Sequence, residues 1–390
     1  MVVFLESGPL VRVIKPVFLR NQASVVFSEN ERLMLDLVRR YGPISRAGLA
    51  RESKLTMQSV VRLVDVLDDR GFLRFGEKVA NVGPGQPSRP LSLVPDAAFT
   101  YGISIMTDAV SVCVMDLSGK IRAVTSSLAE ISDKDAVIKV LRNTLPKLAN
   151  RAKAKPERIF GAGIATTGYF VAPAEVNPPP GMNAWALHNL EADLQAALGM
   201  PVWIENDGNA AAAGESLYGV GRRHKNFAYI YIASGLGGGL VINGEVQRGY
   251  RGNAGEFTGL LPTEERTDRP TLNFLIDILN KKGVPISGIG DLLQRFQLDW
   301  PGVQEWLDRA QGPLTRIFSA IGAVIDPEAI VIGGRIPTEL ARALAERAQF
   351  FREPRRARER PVPIVLAAEA PGDAAAFGAA ALPLKANFFR

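Results

Sequence analysis

The chain has 390 residues and a mass of 42.1 kDa, with 47% hydrophobic and 22% charged residues. That length fits two or three domains of roughly 100–200 residues each, and the apolar content excludes a mainly disordered chain. A single cysteine, Cys113, excludes an internal disulfide and a thiolate-built zinc site, and two histidines, His188 and His224, leave little room for imidazole chemistry. The net charge of +6 is uneven: residues 1–90 hold 14 Lys/Arg against 9 Asp/Glu, the other 300 hold 32 against 31, so an anionic partner is expected at the N-terminal end.

In chain order, residues 1–28 read as an N-terminal arm. The apolar run at residues 2–5 stops at Glu6, short of a secretory signal. The uncharged stretch Ile159 to Ala174 is interrupted by Gly161, Gly163, Gly168 and Pro173 and is too short to span a membrane. A cytoplasmic location is expected. Residues 29–95 read as three short helices and a hairpin. The first helix covers about 30–40, with Leu33, Leu37 and Tyr41 on one face; Gly42-Pro43 ends it. The second runs from Arg46 to Glu52. Thr56 caps the third, which runs from Met57 to Asp69 with Val60, Leu63, Val64 and Leu67 inward. Phe72 to Phe75 and Pro90 to Leu93 read as strands around a Gly/Pro-rich loop, residues 82–89. This is the pattern of a winged helix-turn-helix, whose third helix enters the DNA major groove. Thr56, Met57, Gln58, Ser59 and Arg62 would then lie at the major groove, Arg46, Arg51 and Lys54 at the phosphates, and Arg89, at the wing, at the backbone or the minor groove.

From Phe99 strands and helices alternate, an α/β texture. Strands are expected at 101–107, 110–115, 121–126, 159–165 and 202–205, and helices at 136–151, 187–198 and 207–217. A second unit begins near Gly219. Its strands, 227–232 and 240–242, flank the run Ser234-Gly235-Leu236-Gly237-Gly238-Gly239. Glycines there permit positive φ and let backbone N–H groups approach a ligand. A tight hairpin and a phosphate cradle both fit, but no Walker A sequence follows. The arginine-rich residues 352–360 read as a solvated surface.

Ile204-Glu205-Asn206-Asp207-Gly208-Asn209-Ala210-Ala211-Ala212 resembles the E-N-D-A-N-A-A motif of the ROK family of repressors and sugar kinases. Gly235 to Gly239 looks like its glycine loop, Ile242-Asn243-Gly244 and Arg248-Gly249 like its hairpin, and Asn253-Ala254-Gly255-Glu256 like its A-G-E element. Asp326 to Gly334 looks like its adenosine-side strand and turn, and Gly372-Asp373 with Ala376 to Ala381 like its closing helix. The resemblance covers about residues 30–386. It implies an α/β fold with a winged helix-turn-helix before a two-lobed actin/hexokinase-like domain: lobe 1 at 99–218 with the closing helix 373–386, lobe 2 at 219–372. It also implies a sugar cleft holding Asn206, Asp207 and Glu256, bordered by Asn183 and the glycine loop at Gly235, Gly237 and Gly238. Carboxylates and amides suit vicinal hydroxyls because each pairs with two of them. Asp207 matches the general base of the family's kinases; a bland role, an acid stabilising a helix N-terminus, is the alternative.

The family's kinases open with D-x-G-G-T, and Ser104-Ile105-Met106-Thr107-Asp108 stands at that place. The metal-side aspartate, both turn glycines and the threonine are replaced, so no productive site for ATP and Mg²⁺ is expected. The family's x-G-H and zinc-loop cysteines have no counterpart after Glu256, so no metal is expected. The resemblance therefore implies a non-catalytic, DNA-binding, sugar-sensing transcriptional regulator, expected to be a repressor and to act as a homodimer or homotetramer on a palindromic operator, with no membrane partner. A sugar kinase with an appended DNA-binding head, and a DNA-binding protein with a decayed cleft, are the competing readings.

Overall fold

A computed structural model describes residues 26–77, 89–127, 131–352, 360–370 and 372–390. Nearly all of the expected N-terminal arm, most of the wing loop and most of the arginine-rich segment lie outside these residues. Three helices open the described chain: α1 (Glu29–Tyr41), α2 (Arg46–Ser53) and α3 (Met57–Asp69). Ser28 and Glu31 form a reciprocal capping box on α1, and the Ser45 and Thr56 side chains cap α2 and α3. Lys54 turns the chain between α2 and α3 in the left-handed conformation. β1 (Leu73–Phe75) and β2 (Leu91–Leu93) pair antiparallel after α3.

The body consists of β3 (Phe99–Ile105), β4 (Val110–Asp116), β5 (Ile121–Ser127), α4 (Lys134–Ala152), β6 (Ile159–Thr166), β7 (Tyr169–Ala172), β8 (Glu175–Asn177), α5 (Leu190–Leu198), β9 (Val202–Asn206) and α6 (Asp207–Tyr218). There follow β10 (Phe227–Ile232), β11 (Leu236–Ile242), β12 (Glu245–Val246), α7 (Leu272–Lys281), α8 (Ile289–Arg295), α9 (Val303–Val324), β13 (Ala329–Gly334), α10 (Thr338–Glu346), β14 (Ile364–Ala367) and α11 (Ala374–Phe388). Two five-stranded sheets result, ordered β5-β4-β3-β6-β9 and β12-β11-β10-β13-β14. In each, three strands run as an antiparallel meander, and the first strand then pairs in parallel with the fourth, which pairs in parallel with the fifth. The two halves thus share one topology. Their buried strands β3, β4, β10 and β13 are buried at every position, as expected of sheets covered on both faces.

Helices α6 and α11 pack closely because both are built from small residues. A Cβ on Gly378 would collide with the backbone of Ala210, and a Cβ on Gly214 would stand 2.7 Å from Gly378 Cα. Gly102 of β3 and Gly163 of β6 likewise leave room for the α11 backbone. The core beneath α11 continues into the N-terminal helices: Met34, Leu35, Val64 and Phe72 join Met115, Phe160, Phe377 and Phe388. Cys113 is buried there and its thiol donates to Ala376 O at 3.4 Å.

Two sequence expectations are corrected. The helix expected from Leu187 starts at Leu190, capped by Asn189, because Leu187 is left-handed at φ 58°. Of the two readings of the glycine run the tight hairpin holds, with Ile232 paired to Leu236 across residues 233–235, but its second strand starts at Leu236 and not at 240, and none of Gly235, Gly237, Gly238 or Gly239 has positive φ. The glycines serve packing instead, since a Cβ on Gly238 would strike Tyr229 O and the Phe257 ring, and one on Gly239 would stand 2.8 Å from Ala212 Cβ. Among the described residues no helix is long and apolar enough to cross a membrane.

Candidate functional site

Asp207 is the first residue of α6, where β9 ends, and Glu256 follows the β12 connection. Their neighbours Gly208 and Gly255 both abut Gly238 of β11; a Cβ on either would meet the Gly238 carbonyl. The glycine strand therefore brings the two carboxylates to one place. Asp207 is partly buried, and its pKa is pushed up to about 7, first by burial and then by Glu256 and Asp373; hydrogen bonds from the Gly208 N–H and the Thr167 hydroxyl oppose the rise. Desolvation also raises Glu256, whose side chain is exposed at the rim.

Asn206 caps the N-terminus of α6. Its Oδ1 accepts from the N–H groups of Gly208 at 2.9 Å and Asn209 at 3.3 Å, and its Nδ2 donates to Gly168 O at 2.9 Å. Both ends are committed to backbone, so Asn206 caps α6 and orients Asp207. Asn253 ties the site across the chain: Phe170 N–H donates to its Oδ1 at 2.7 Å, and its Nδ2 donates to Phe170 O at 2.8 Å. Glu205, buried, accepts from Arg248 at 2.6 Å and from the Asn206 N–H at 3.0 Å. Asn183 is exposed at the start of a short 3₁₀ helix held by buried Trp185, whose Nε1 donates to Ile131 O at 2.7 Å.

At the hairpin between β3 and β4, Ser104 is fully buried and donates to Asp373 Oδ2 at 3.4 Å. Asp373 also caps α11 through the N–H groups of Ala375 and Ala376. Asp108 forms an ion pair with Arg335, which follows β13, at 2.5 Å. This pair joins the two sheets' domains. Sequence reasoning missed it because the partners stand 227 positions apart. Asp108, Arg335, Ser234, Asn273 and Gln294 share the wall of a cavity of about 710 Å³. Tyr231 is buried and interacts electrostatically with Asp207, Asp373 and Arg335, and its hydroxyl has no hydrogen-bond partner. Thr166 Oγ1 is likewise buried and unpartnered.

On the N-terminal helices, Arg51, Lys54, Thr56, Met57, Gln58 and Arg62 are all exposed, the last five on and just before one end of α3. Thr56 and Ser59 bond to each other at 2.9 Å. Arg46 differs from its expected phosphate role: it pairs with Asp65, and its guanidinium lies 4.7 Å from the Phe75 ring centre. Arg89 donates to Gly76 O at 3.2 Å and lies over the same ring, at the base of β1 and β2.

The ROK family profile matches residues 100–267. A xylose repressor of Bacillus subtilis is 30% identical over 238 residues, covering 58% of this chain and 59% of that protein. The chain thus spans less than two thirds of that repressor's length. Among solved structures, a ROK family transcriptional regulator, a homolog of the E. coli MLC protein, superposes with a TM-score of 0.64 at 21% identity, over 92% of this chain and 95% of that one. A ROK family glucokinase from Streptomyces griseus, in complex with glucose and AMPPNP, superposes with a TM-score of 0.60 at 21% identity, over 73% of this chain and 99% of that one. These likenesses give the body the actin/hexokinase-like α/β fold, and within it residues 100–267 are similar to the ROK family.

Proposed function

We propose that the chain is a sequence-specific DNA-binding transcriptional repressor whose operator affinity is controlled by a sugar or sugar derivative bound at Asp207 and Glu256. The observation that carries this is the course of α6 and α11. Both begin at the cleft, α6 with Asp207 and α11 with the Asp373 cap. Both end on α1, about 18 and 22 Å away at a rise of 1.5 Å per residue. There Arg39 donates to Leu217 O, and its guanidinium lies over the Tyr218 and Phe389 rings. Arg32 donates to Lys385 O at 3.0 Å and to Phe389 O. The small residues between the two helices hold them as one rigid pair.

A sugar that favours one arrangement of the lobes moves the front of this pair, and the winged helix-turn-helix moves with its far end. Linkage then makes DNA affinity depend on sugar, and sugar affinity on DNA. In the head, Met57, Gln58 and Arg62 read bases from the N-terminal end of α3, and Arg51 and Lys54 hold phosphates. The name of the xylose repressor supports both halves of this function. The protein acts in the cytoplasm as a homodimer or homotetramer on a palindromic operator.

No ATP, Mg²⁺ or zinc takes part in this mechanism. A sugar kinase bearing a DNA-binding head is the second reading, favoured by the likeness to the glucokinase fold and by Asp207, whose raised pKa suits a general base. Against it, Ser104 is engaged with Asp373 and Asp108 with Arg335, where a kinase would neutralise phosphates. The deciding experiment measures operator affinity with and without sugar beside ATP turnover on the same sugars.

A further inference from the structure

We propose that the cleft accepts an uncharged sugar and rejects its phosphate ester, and that the Asp108–Arg335 ion pair sets this choice by occupying the cation a phosphate would need. The inference rests on the sugar-binding reading and names the class of ligand. Its basis is the arrangement of charge and of unsatisfied polar groups around Asp207. The charged groups that act most strongly on Asp207 are two further carboxylates, Glu256 and Asp373. The hydroxyl of Tyr231 is buried without a partner and within the electrostatic reach of Asp207, Asp373 and Arg335, and the Thr166 hydroxyl is buried without one just before Thr167, which bonds Asp207. Buried unpaired hydroxyls call for a hydrogen-bonding ligand or water. Hydroxyl groups of a sugar satisfy them and the carboxylates together, since each can donate and accept.

A phosphate ester carries a charge of about −1.5 to −2 at neutral pH. In this cleft it would face Asp207, Glu256, Asp373 and Asp108. Arg335 is a cation on the same ground, with its side chain 9% exposed, and Asp108 already neutralises it, as Glu205 neutralises Arg248. Arg335 also feels Asp373 and Tyr231, so it stands at the end of the carboxylate row and not apart from it. An entering phosphate must displace Asp108 from Arg335 and leave that carboxylate uncompensated. Like charges brought together on binding are strongly disfavoured, so discrimination of at least about tenfold is expected.

The test uses the full-length protein and matched probes: xylose and xylose 5-phosphate, glucose and glucose 6-phosphate, N-acetylglucosamine and its 6-phosphate. Affinities are measured by calorimetry and thermal shift. The expected result is that a free sugar binds at least about tenfold more tightly than its own ester. In Asp108→Asn, and independently in Asp108→Ser, Arg335 is released and the gap closes by gain of ester affinity, while the melting temperature without ligand confirms folding. An ester that binds as well as its free sugar, or a gap unchanged in both folded variants, overturns the proposal while leaving the sugar reading intact. Binding of none of the six probes overturns the sugar reading itself and this inference with it.

Discussion

Replacing Asp207 with asparagine removes a carboxylate that the fold holds in an unfavourable place. Its pKa rises from 3.8 to about 7, mainly through burial. Because the folded value is the higher one, the unfolded chain loses this proton first. The contribution to stability is full below about pH 4 and is lost as pH rises to about 7. The shift of about 3 units corresponds to at most about 4 kcal/mol at 1.36 kcal/mol per unit. Partial exposure and relaxation reduce this, and about 2 kcal/mol is the working expectation. Asp207→Asn keeps the acceptor for the Gly208 N–H and removes the charge. The assay is thermal melting of both proteins from pH 4 to pH 8.5 without ligand. The two should melt together near pH 4, and the variant should become progressively more stable, by about 2–3 °C at pH 8. Glu205 and Glu215 are also raised but act in both proteins; Glu256, also raised, is coupled to Asp207, so the difference reports Asp207 together with its repulsion of Glu256. A difference that stays flat with pH, or a wild type that is the more stable at pH 8, would refute the reasoning.

Arg39→Ala, or Arg32→Ala in the event that loss of the Asp36 partner unfolds the first, should leave DNA and sugar binding within about threefold while abolishing the effect of sugar on DNA affinity; retained coupling in both would exclude α6 and α11 as the route. Arg62→Ala should cost about 1–3 kcal/mol on the preferred operator and relax its selectivity, whereas Lys54→Ala should weaken all sequences alike and lower the salt slope by about 1. Gly238→Ala should destabilise the protein by about 3 kcal/mol through collision with Tyr229 and Phe257. Gly237→Ala, whose added Cβ meets nothing within 4 Å, is the matched control, and equal melting temperatures for the two would contradict the packing role of the glycine strand.

Local signals in the sequence were enough to define the first three helices. Ser28 with Glu31, Ser45 and Thr56 are caps with direct mechanisms, and Val60, Leu63, Val64 and Leu67 face inward as their spacing requires. The turn at Asn243-Gly244 likewise follows from two residues that tolerate positive φ. The glycine run was not legible in the same way. Composition cannot separate a glycine that bends a chain from one that lets two backbones touch, and only the approach of Gly208 and Gly255 to Gly238 decides it. Asp207 and Glu256 were legible by resemblance to family motifs. The commitment of Asn206 to capping was not, since the same residue type serves a helix end and a ligand equally well. The Asp108–Arg335 pair and the Arg39 contact with Leu217 are long-range facts, made by topology and invisible to any window along the chain.

The central claim, that one chain couples a sugar cleft to a DNA-reading head, is tested most directly by one titration. Operator fragments selected from genomic DNA are titrated with full-length protein, with and without a sugar that raises its melting temperature, in wild type and Asp207→Asn. A change in operator affinity of at least about tenfold with sugar, absent in the variant, is predicted for a coupling of about 1.4 kcal/mol or more. Operator affinity unaffected by a sugar that demonstrably binds, together with phosphate transfer from ATP to that sugar, would contradict it.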